Sequence, residues 1–333
     1  MATHQPSQPG TSPPSYSQPT TETIASARQA QYIGFLHRHP FVTDAYDLGF
    51  LPGIREDYSL QTDALANVDV PVLMLDNDFR QPDPDRFVDR LCQLDPTPHV
   101  CVLGDAYTPA EATEYTALAQ QLSETYPTTE FVIVPKCHAA IDIIDEMFVL
   151  GYAMGYSDTH AQDFSEPVDW RGRRVHLLGA SPPKQWAVIQ RLTQPTLTGT
   201  PPADIVGLDW NGPQRIAYLG ESWSCDGWQR ADSHSIRRTV RESLREMKRF
   251  WQQRGVWPAT EPIAQYGPAV RAPDDPVFAA NGADIDTREQ LEDALVVEYP
   301  EQTLAYRSAT EQAYIEYHYS HDLGLNNHSI RDE

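Results

Sequence analysis

Asp209 closes the segment DIVGLDWNG (204–212), and ahead of it RVHLLGASPPKQWAVIQRL (174–192) reads as strand, glycine turn and helix. The apolar run 175–178 is short and is stopped by Gly179, Ser181, Pro182 and Pro183, as a buried parallel strand should be before its helix. In a barrel of parallel strands the C-terminal strand ends carry the chemistry, so a carboxylate there is a candidate nucleophile or base. Three more groups sit at comparable strand ends: Asp76 in VPVLMLD (70–76), Asp105 in HVCVLGD (99–105) and Lys136 in EFVIVPK (130–136). His37 and His39 in FLHRHP form an HxH pair, a metal-ligand spacing. Each residue also has a plainer use. Asp209 suits a cap for a helix starting at Gly212, Asp76 suits a turn, and Lys136 suits a surface.

The elements that must position these groups follow from apolar periodicity. Eight runs read as buried strands, at 32–37, 70–76, 99–105, 130–136, 150–157, 174–180, 204–209 and 215–222. Helices are expected between them at 83–94, 109–126 with Thr108 as cap, 139–148 and 183–192. Alternating β and α with eight strands predicts an α/β fold of the (β/α)8 TIM-barrel type, with a doubly wound sheet as the alternative. A long amphipathic helix at 235–254, with Val240, Leu244, Met247 and Trp251 on one face, is expected to close the barrel. Residues 1–27 are rich in Pro, Ser, Thr and Gln and read as a disordered leader; 28–256 form the barrel. Residues 257–333 read as a small C-terminal extension, a lid or interface, with a last helix at 287–297.

Composition sets the milieu. The chain of 333 residues carries 47 Asp plus Glu against 25 Lys plus Arg, and its only lysines are Lys136, Lys184 and Lys248. Abundant carboxylates with few lysine stems suit a surface kept hydrated in concentrated salt, which predicts a halophilic protein. A net charge of −22 argues against nucleic-acid partners at ordinary ionic strength. That argument weakens at molar salt, where the screening length falls to about 3 Å. Cys92, Cys101, Cys137 and Cys225 are far apart, so neither a disulfide framework nor a cysteine zinc site is indicated. With no signal peptide and no long apolar run, a soluble cytoplasmic protein with no membrane partner is expected, and a homo-oligomer is compatible with the sequence.

Three consecutive strand ends carry a resemblance. LGYAMGYS (150–157), VHLLGASPP (175–183) and IVGLDWNGPQR (205–215) resemble, in order and spacing, the later strands of the tRNA-guanine transglycosylase superfamily. VLMLDNDF (72–79) and VCVLGDAYTP (100–109) resemble its earlier aspartate-bearing strand ends, over roughly residues 30–250 in all. The resemblance implies Asp209 as nucleophile, Asp76 as general acid/base and Asp105 as a base-recognition carboxylate. Gly155 and Gly179 would lie against the base, with Trp210 and Lys136 as further contacts to base or phosphate. Asn77 and Asp78 replace the family's glycines, and Lys136 stands where a glutamine is usual. The three-cysteine, one-histidine zinc site has no counterpart beyond Cys225 and His234. The likeness is therefore closer to the paralogues that place 7-deazaguanine in DNA than to the tRNA enzymes, and it implies no metal and no redox cofactor. Such chemistry needs one carboxylate to capture C1′ and another to carry the proton of the base, which must be out of the duplex.

Two other classes compete. An amidohydrolase-like metal enzyme would use the HxH of His37 and His39, Lys136 and Asp209, but the fifth strand offers no histidine and His176 lies at the start of its strand. A catalytically inactive barrel used as a binding module fits the substitutions at Asn77 and Asp78. The discriminator is spatial. A transglycosylase needs Asp76 and Asp209 facing one cavity, a metallohydrolase needs His37, His39 and Asp209 around one ion, and a binding module needs neither.

Overall fold

A computed structural model describes residues 29–37, 41–57, 70–155, 159–195, 199–217, 219–231, 234 and 236–267. The expected leader, His39, the end of the 150–157 segment and the 287–297 helix lie outside the described residues. Eight parallel strands close a barrel in sequence order: β1 (Tyr32–Leu36), β2 (Leu51–Arg55), β3 (Met74–Asp76), β4 (Val100–Ala106), β5 (Glu130–Pro135), β6 (Val149–Ala153), β7 (Arg174–Leu178) and β8 (Asp204–Asp209). β1 pairs with both β2 and β8, which completes the ring. Around it lie α1 (Phe41–Asp47), α2 (Pro84–Cys92), α3 (Pro109–Thr125), α4 (His138–Ile143), α5 (Ala161–Phe164), α6 (Pro182–Leu192), α7 (Gly212–Ala217) and, after the hairpin β9 (Glu221–Ser224) and β10 (Gly227–Arg230), α8 (Ile236–Gln253).

Local chemistry explains the helix starts. Thr108 accepts the Glu111 amide at 3.2 Å while the Glu111 carboxylate accepts the Thr108 amide at 2.8 Å, a capping box ahead of Pro109. Asp83 caps α2 by accepting the Arg86 amide at 3.0 Å. Buried on both faces, the strands supply two separate apolar sets. An inner set of Tyr32, Leu36, Leu51, Met74, Val100, Val102, Val132, Val134 and Val149 fills the barrel, and a larger outer set packs under the helices.

The alternation that separates these sets breaks at two places. β4 carries one residue more than β5, between Val102 and Gly104, and β8 one more than β7, between Ile205 and Gly207. Val100 and Val102 point inward, so strict alternation would send Asp105 out among the helices. After the bulge Leu103 and Gly104 both face outward, a Cβ on Gly104 running into the Tyr115 ring of α3, and Asp105 turns into the barrel. On β8 the surplus Val206 belongs to the inner set, Gly207 also faces inward, and Asp209 follows it to the inside.

Two strand assignments differ from the sequence expectation, although the number in the barrel is eight. β2 is LPGIR, whose proline and glycine disguise a strand. Pro52 still serves the ladder by accepting the Leu73 amide at 2.9 Å, and a Cβ on Gly53 would lie 2.8 Å from Leu36 Cγ, so the close strand packing requires glycine. The expected strand at 215–222 is instead the short helix α7 followed by the hairpin. The barrel body also runs past 256: Trp257 packs edge-on against Phe50 at 5.1 Å, and Ile263 of a 3₁₀ turn (Pro262–Tyr266) joins the inner set. No described helix is long and apolar enough to cross a membrane.

α8 buries Val240, Leu244, Met247 and Trp251 as its pattern predicts, and it also buries two arginines. Arg237 holds Asp44 of α1 through Nε at 2.6 Å and Nη2 at 2.8 Å, while Arg241 Nη1 reaches the same carboxylate at 3.0 Å. One buried carboxylate thus compensates two buried guanidiniums. Asp44→Asn should therefore destabilise the protein by roughly 3–5 kcal/mol, because it removes the buried negative charge that both guanidiniums face. Chemical denaturation of the variant reads the effect, and a loss below about 1 kcal/mol would mean that the arginines find other partners.

Candidate active site

The C-terminal mouth of the barrel opens into a cavity of about 220 Å³. Its wall is the uppermost inward layer, one or two residues per strand: Leu36, Arg55, Asp76, Asp105, Lys136, Ala153, Leu178 and Asp209. Below them the barrel interior is almost wholly apolar, so the polar groups are confined to its hydrated end. Six of the seven residues singled out from sequence meet here: Asp76, Asp105, Lys136, Gly155, Gly179 and Asp209. The seventh does not. Trp210 follows inward-facing Asp209 and points out, where it meets Trp223 edge-on at 5.8 Å and Trp228 at 5.9 Å. A Cβ on Gly212 would overlap its ring, so this tryptophan anchors the hairpin instead of contacting a ligand.

The three carboxylates differ in their surroundings. Burial raises the Asp76 carboxyl well above the usual range; the charge of Asp209 adds to the rise and Arg55 opposes it. Asp105 faces Lys136, Nζ to Oδ2 at 3.2 Å, and the lysine side chain is only 2% exposed. Burial raises Asp105 as well, with the ammonium pulling the other way. Lys136 is thus the charge partner of a site carboxylate, not a surface residue. Asp209 has a histidine partner: His176 Nε2 lies 3.0 Å from Oδ1. The main chain of Asp209 is held from outside by α6, since Gln185 Nε2 donates to both Gly179 O and Asp209 O at 2.8 Å.

Between β6 and β7 the mouth is floored by backbone. Gly179 has φ +73°, Ala180 follows at +62°, and a Cβ on Gly179 would lie 3.2 Å from Gly155 Cα. The two glycines permit a contact no other residue pair would, and leave a smooth surface beside the cavity.

Sequence reasoning missed Arg55, Asn211 and His176. Arg55 was hidden with its strand; it pairs with Asp57 at 2.6 Å and approaches Asp78 at 3.7 Å. Asn211 accepts the Leu36 amide at 2.9 Å and so ties the end of β8 to β1. His176 is the middle residue of β7, fully buried one layer below the mouth, and not at the distant end of the barrel. Asp78 is used locally, accepting the Arg80 amide at 3.2 Å. Of the metallohydrolase set, His37, Lys136 and Asp209 line the cavity, but Lys136 is committed to Asp105 and Asp209 to His176. Among the described residues no cluster of three metal-ligating side chains forms.

A family profile described as a family of unknown function (DUF6610) matches residues 45–252, well over half of the chain. No curated protein matches the sequence.

The raised Asp76 has a consequence for stability. A carboxyl that holds its proton more tightly folded than unfolded costs stability as pH rises from the unfolded value, about 3.9, through the folded one. Asp76→Asn removes that cost while leaving Asp105 in place. The variant should be more stable than wild type at pH 7, with the gap closing as pH falls below about 4. Paired thermal melts across that range give the answer; equal stability at pH 7 would show that Asp76 ionises without penalty.

Proposed function

We propose that this chain, which belongs to the DUF6610 family, is a base-exchange transglycosylase that replaces guanine by a 7-deazaguanine in nucleic acid, DNA in preference to tRNA. The observation that carries the reading is the convergence of Asp76 and Asp209 on one cavity, where burial raises the Asp76 carboxyl and so favours its proton-bearing form. Pairs of carboxyl groups in contrasting environments divide into acid and nucleophile. In the first half-reaction an Asp209 oxygen attacks C1′ as the bond from C1′ to the purine nitrogen breaks. The bonding electron pair leaves with the base, which takes the proton of Asp76. In the second, the incoming deazapurine returns a proton to Asp76, its nitrogen attacks C1′, and the Asp209 ester is released as carboxylate. Atoms and charge balance with no redox step.

The remaining residues suit these roles. A cavity of about 220 Å³ is smaller than the ~300–1,000 Å³ of drug-sized pockets and fits a single heterocycle better than a dinucleotide. Asp105, backed by Lys136, is placed to accept hydrogen bonds from the edge of a purine, and the Gly155–Gly179 floor gives a flat ring a surface to lie on. DNA is preferred because the residues nearest to a tRNA-type zinc site are engaged elsewhere. Cys225 Sγ is 3.7 Å from Glu246 O, and His234 Nδ1 is 3.1 Å from Glu242.

Asp209→Asn should abolish exchange and leave the fold intact, since an amide of the same shape forms no glycosyl ester. Asp76→Asn should slow it on the order of 10²–10⁴-fold by removing the proton carrier. The assay is incorporation of labelled 7-deazaguanine into DNA and into tRNA at high salt. Exchange in neither polymer by wild type, or undiminished exchange by Asp209→Asn, would leave only a shared fold.

A further inference from the structure

Beneath Asp209 the apolar barrel interior holds one polar chain that the reaction above does not use. His176 and Tyr32 flank Gly207, paired with it from β7 and β1. Because Gly207 has no side chain, the Tyr32 ring can lie across β8 and reach β7; a Cβ there would overlap the ring. The Tyr32 and His176 rings stack, centroids 5.4 Å apart and planes at 25°. Tyr32 Oη lies 2.9 Å from His176 Nδ1, and His176 Nε2 lies 3.0 Å from Asp209 Oδ1. His176 is fully buried, so no water competes for either nitrogen.

The direction of these bonds follows the tautomer of His176, which the phenol at the far end can set. Burial, reinforced by the charges of Glu130 and Asp209, raises the Tyr32 phenol well above its usual value and keeps its proton in place. With its proton in place the phenol can donate to Nδ1, the arrangement in which the ring hydrogen sits on Nε2, aimed at Oδ1. Both polar atoms of the ring are then satisfied, and the chain is rigid along its length.

We propose that Tyr32 and His176 are positioning residues for Asp209, holding Oδ1 in a buried hydrogen bond so that the other carboxylate oxygen is the one presented to C1′. This rests on the transglycosylase reading for its function, but not for its geometry. Without the donor the carboxylate is free to rotate about its last bond, and the fraction of time spent aligned falls. Loss of such an outer partner typically costs about 10–100-fold in activity. The loss should appear in kcat and not in KM, because neither residue touches the base.

The test combines exchange kinetics with nitrogen NMR of histidine-labelled protein. His176→Phe keeps the ring shape and deletes the donor; kcat should fall about 10–100-fold with KM within about twofold of wild type. His176→Gln restores a donor near the Nε2 position and should recover most of the loss. Tyr32→Phe removes one hydroxyl, the gentlest change, and should lower kcat while mixing the two tautomers. In wild type the spectrum should show His176 protonated at Nε2. Wild-type kcat in His176→Phe, or in Tyr32→Phe should the former not fold, overturns the proposal. So does a His176 protonated at Nδ1, whatever the activity. If wild type exchanges no base in either polymer, the transglycosylase reading fails by itself. The spectrum alone then decides whether His176 holds Asp209.

Discussion

One surplus residue in each of two strands decides which way the site aspartates point. A strand alternates its side chains with a period of two, so a single insertion inverts every position after it. In β4 and β8 the inversion comes late, after the inward valines are in place and before the terminal carboxylate. The lower barrel therefore keeps its apolar filling, and Asp105 and Asp209 still reach the cavity. Without the bulges both carboxylates would be driven into the helix layer, among Leu103, Ala106, Leu208 and their neighbours, with no water and no cation. Such burial of charge is costly enough that the strands would instead slip or pair differently. The same bulge on β8 brings Gly207 opposite Tyr32 and His176, so the contacts beneath Asp209 and its inward orientation have one structural cause.

From this follows the division of labour among three like charges at one mouth. Left alone, three carboxylates in a small cavity would repel one another and share protons interchangeably. Each is instead given a different companion: Arg55 opposes the rise at Asp76, Lys136 closes on Asp105, and the His176 ring lies against Asp209. Asp76 has a cation at a distance and no close ion pair with it, so burial dominates and raises its carboxyl. Asp209 has the buried His176 ring beside it, with Nε2 3.0 Å from Oδ1. Differences between companions, not between side chains, are what set these carboxyl groups apart.

What could be read from the sequence was whatever depended on hydrophobic runs ending in polar residues. Asp76, Asp105, Lys136 and Asp209 each close such a run, and a closed parallel barrel brings all such ends to one rim. What could not be read depended on parity and on tertiary packing. LPGIR looks like a turn because its proline and glycine are tolerated only by these neighbours, and Arg55 was lost with it. RIAYLGES has strand composition, yet its first three residues end a rim helix in which Ile216 and Ala217 are buried. Trp210 faces out because no bulge separates it from inward-facing Asp209, and it packs on Trp223 and Trp228. His176 could be placed on its strand but not at its depth, because only the register with Gly207 brings it against Asp209.

The charge of the molecule bears on how an anionic polymer could approach such a site. Over the whole chain carboxylates outnumber cations by 47 to 25, but the residues lining the cavity include four cations, Arg55, Arg80, Lys136 and Arg215, against three carboxylates, Asp76, Asp105 and Asp209. The mouth is thus a local exception to an acidic surface. At low ionic strength the surrounding charge would repel a phosphate backbone from far outside the cavity. When screening shortens to about 3 Å, distant carboxylates cease to matter and only groups within contact of the substrate act. Under the function proposed above, strong salt would therefore let a polyanion reach a cation-bearing mouth on an acidic chain. In that solvent the composition of the surface and the composition of the site no longer pull in opposite directions.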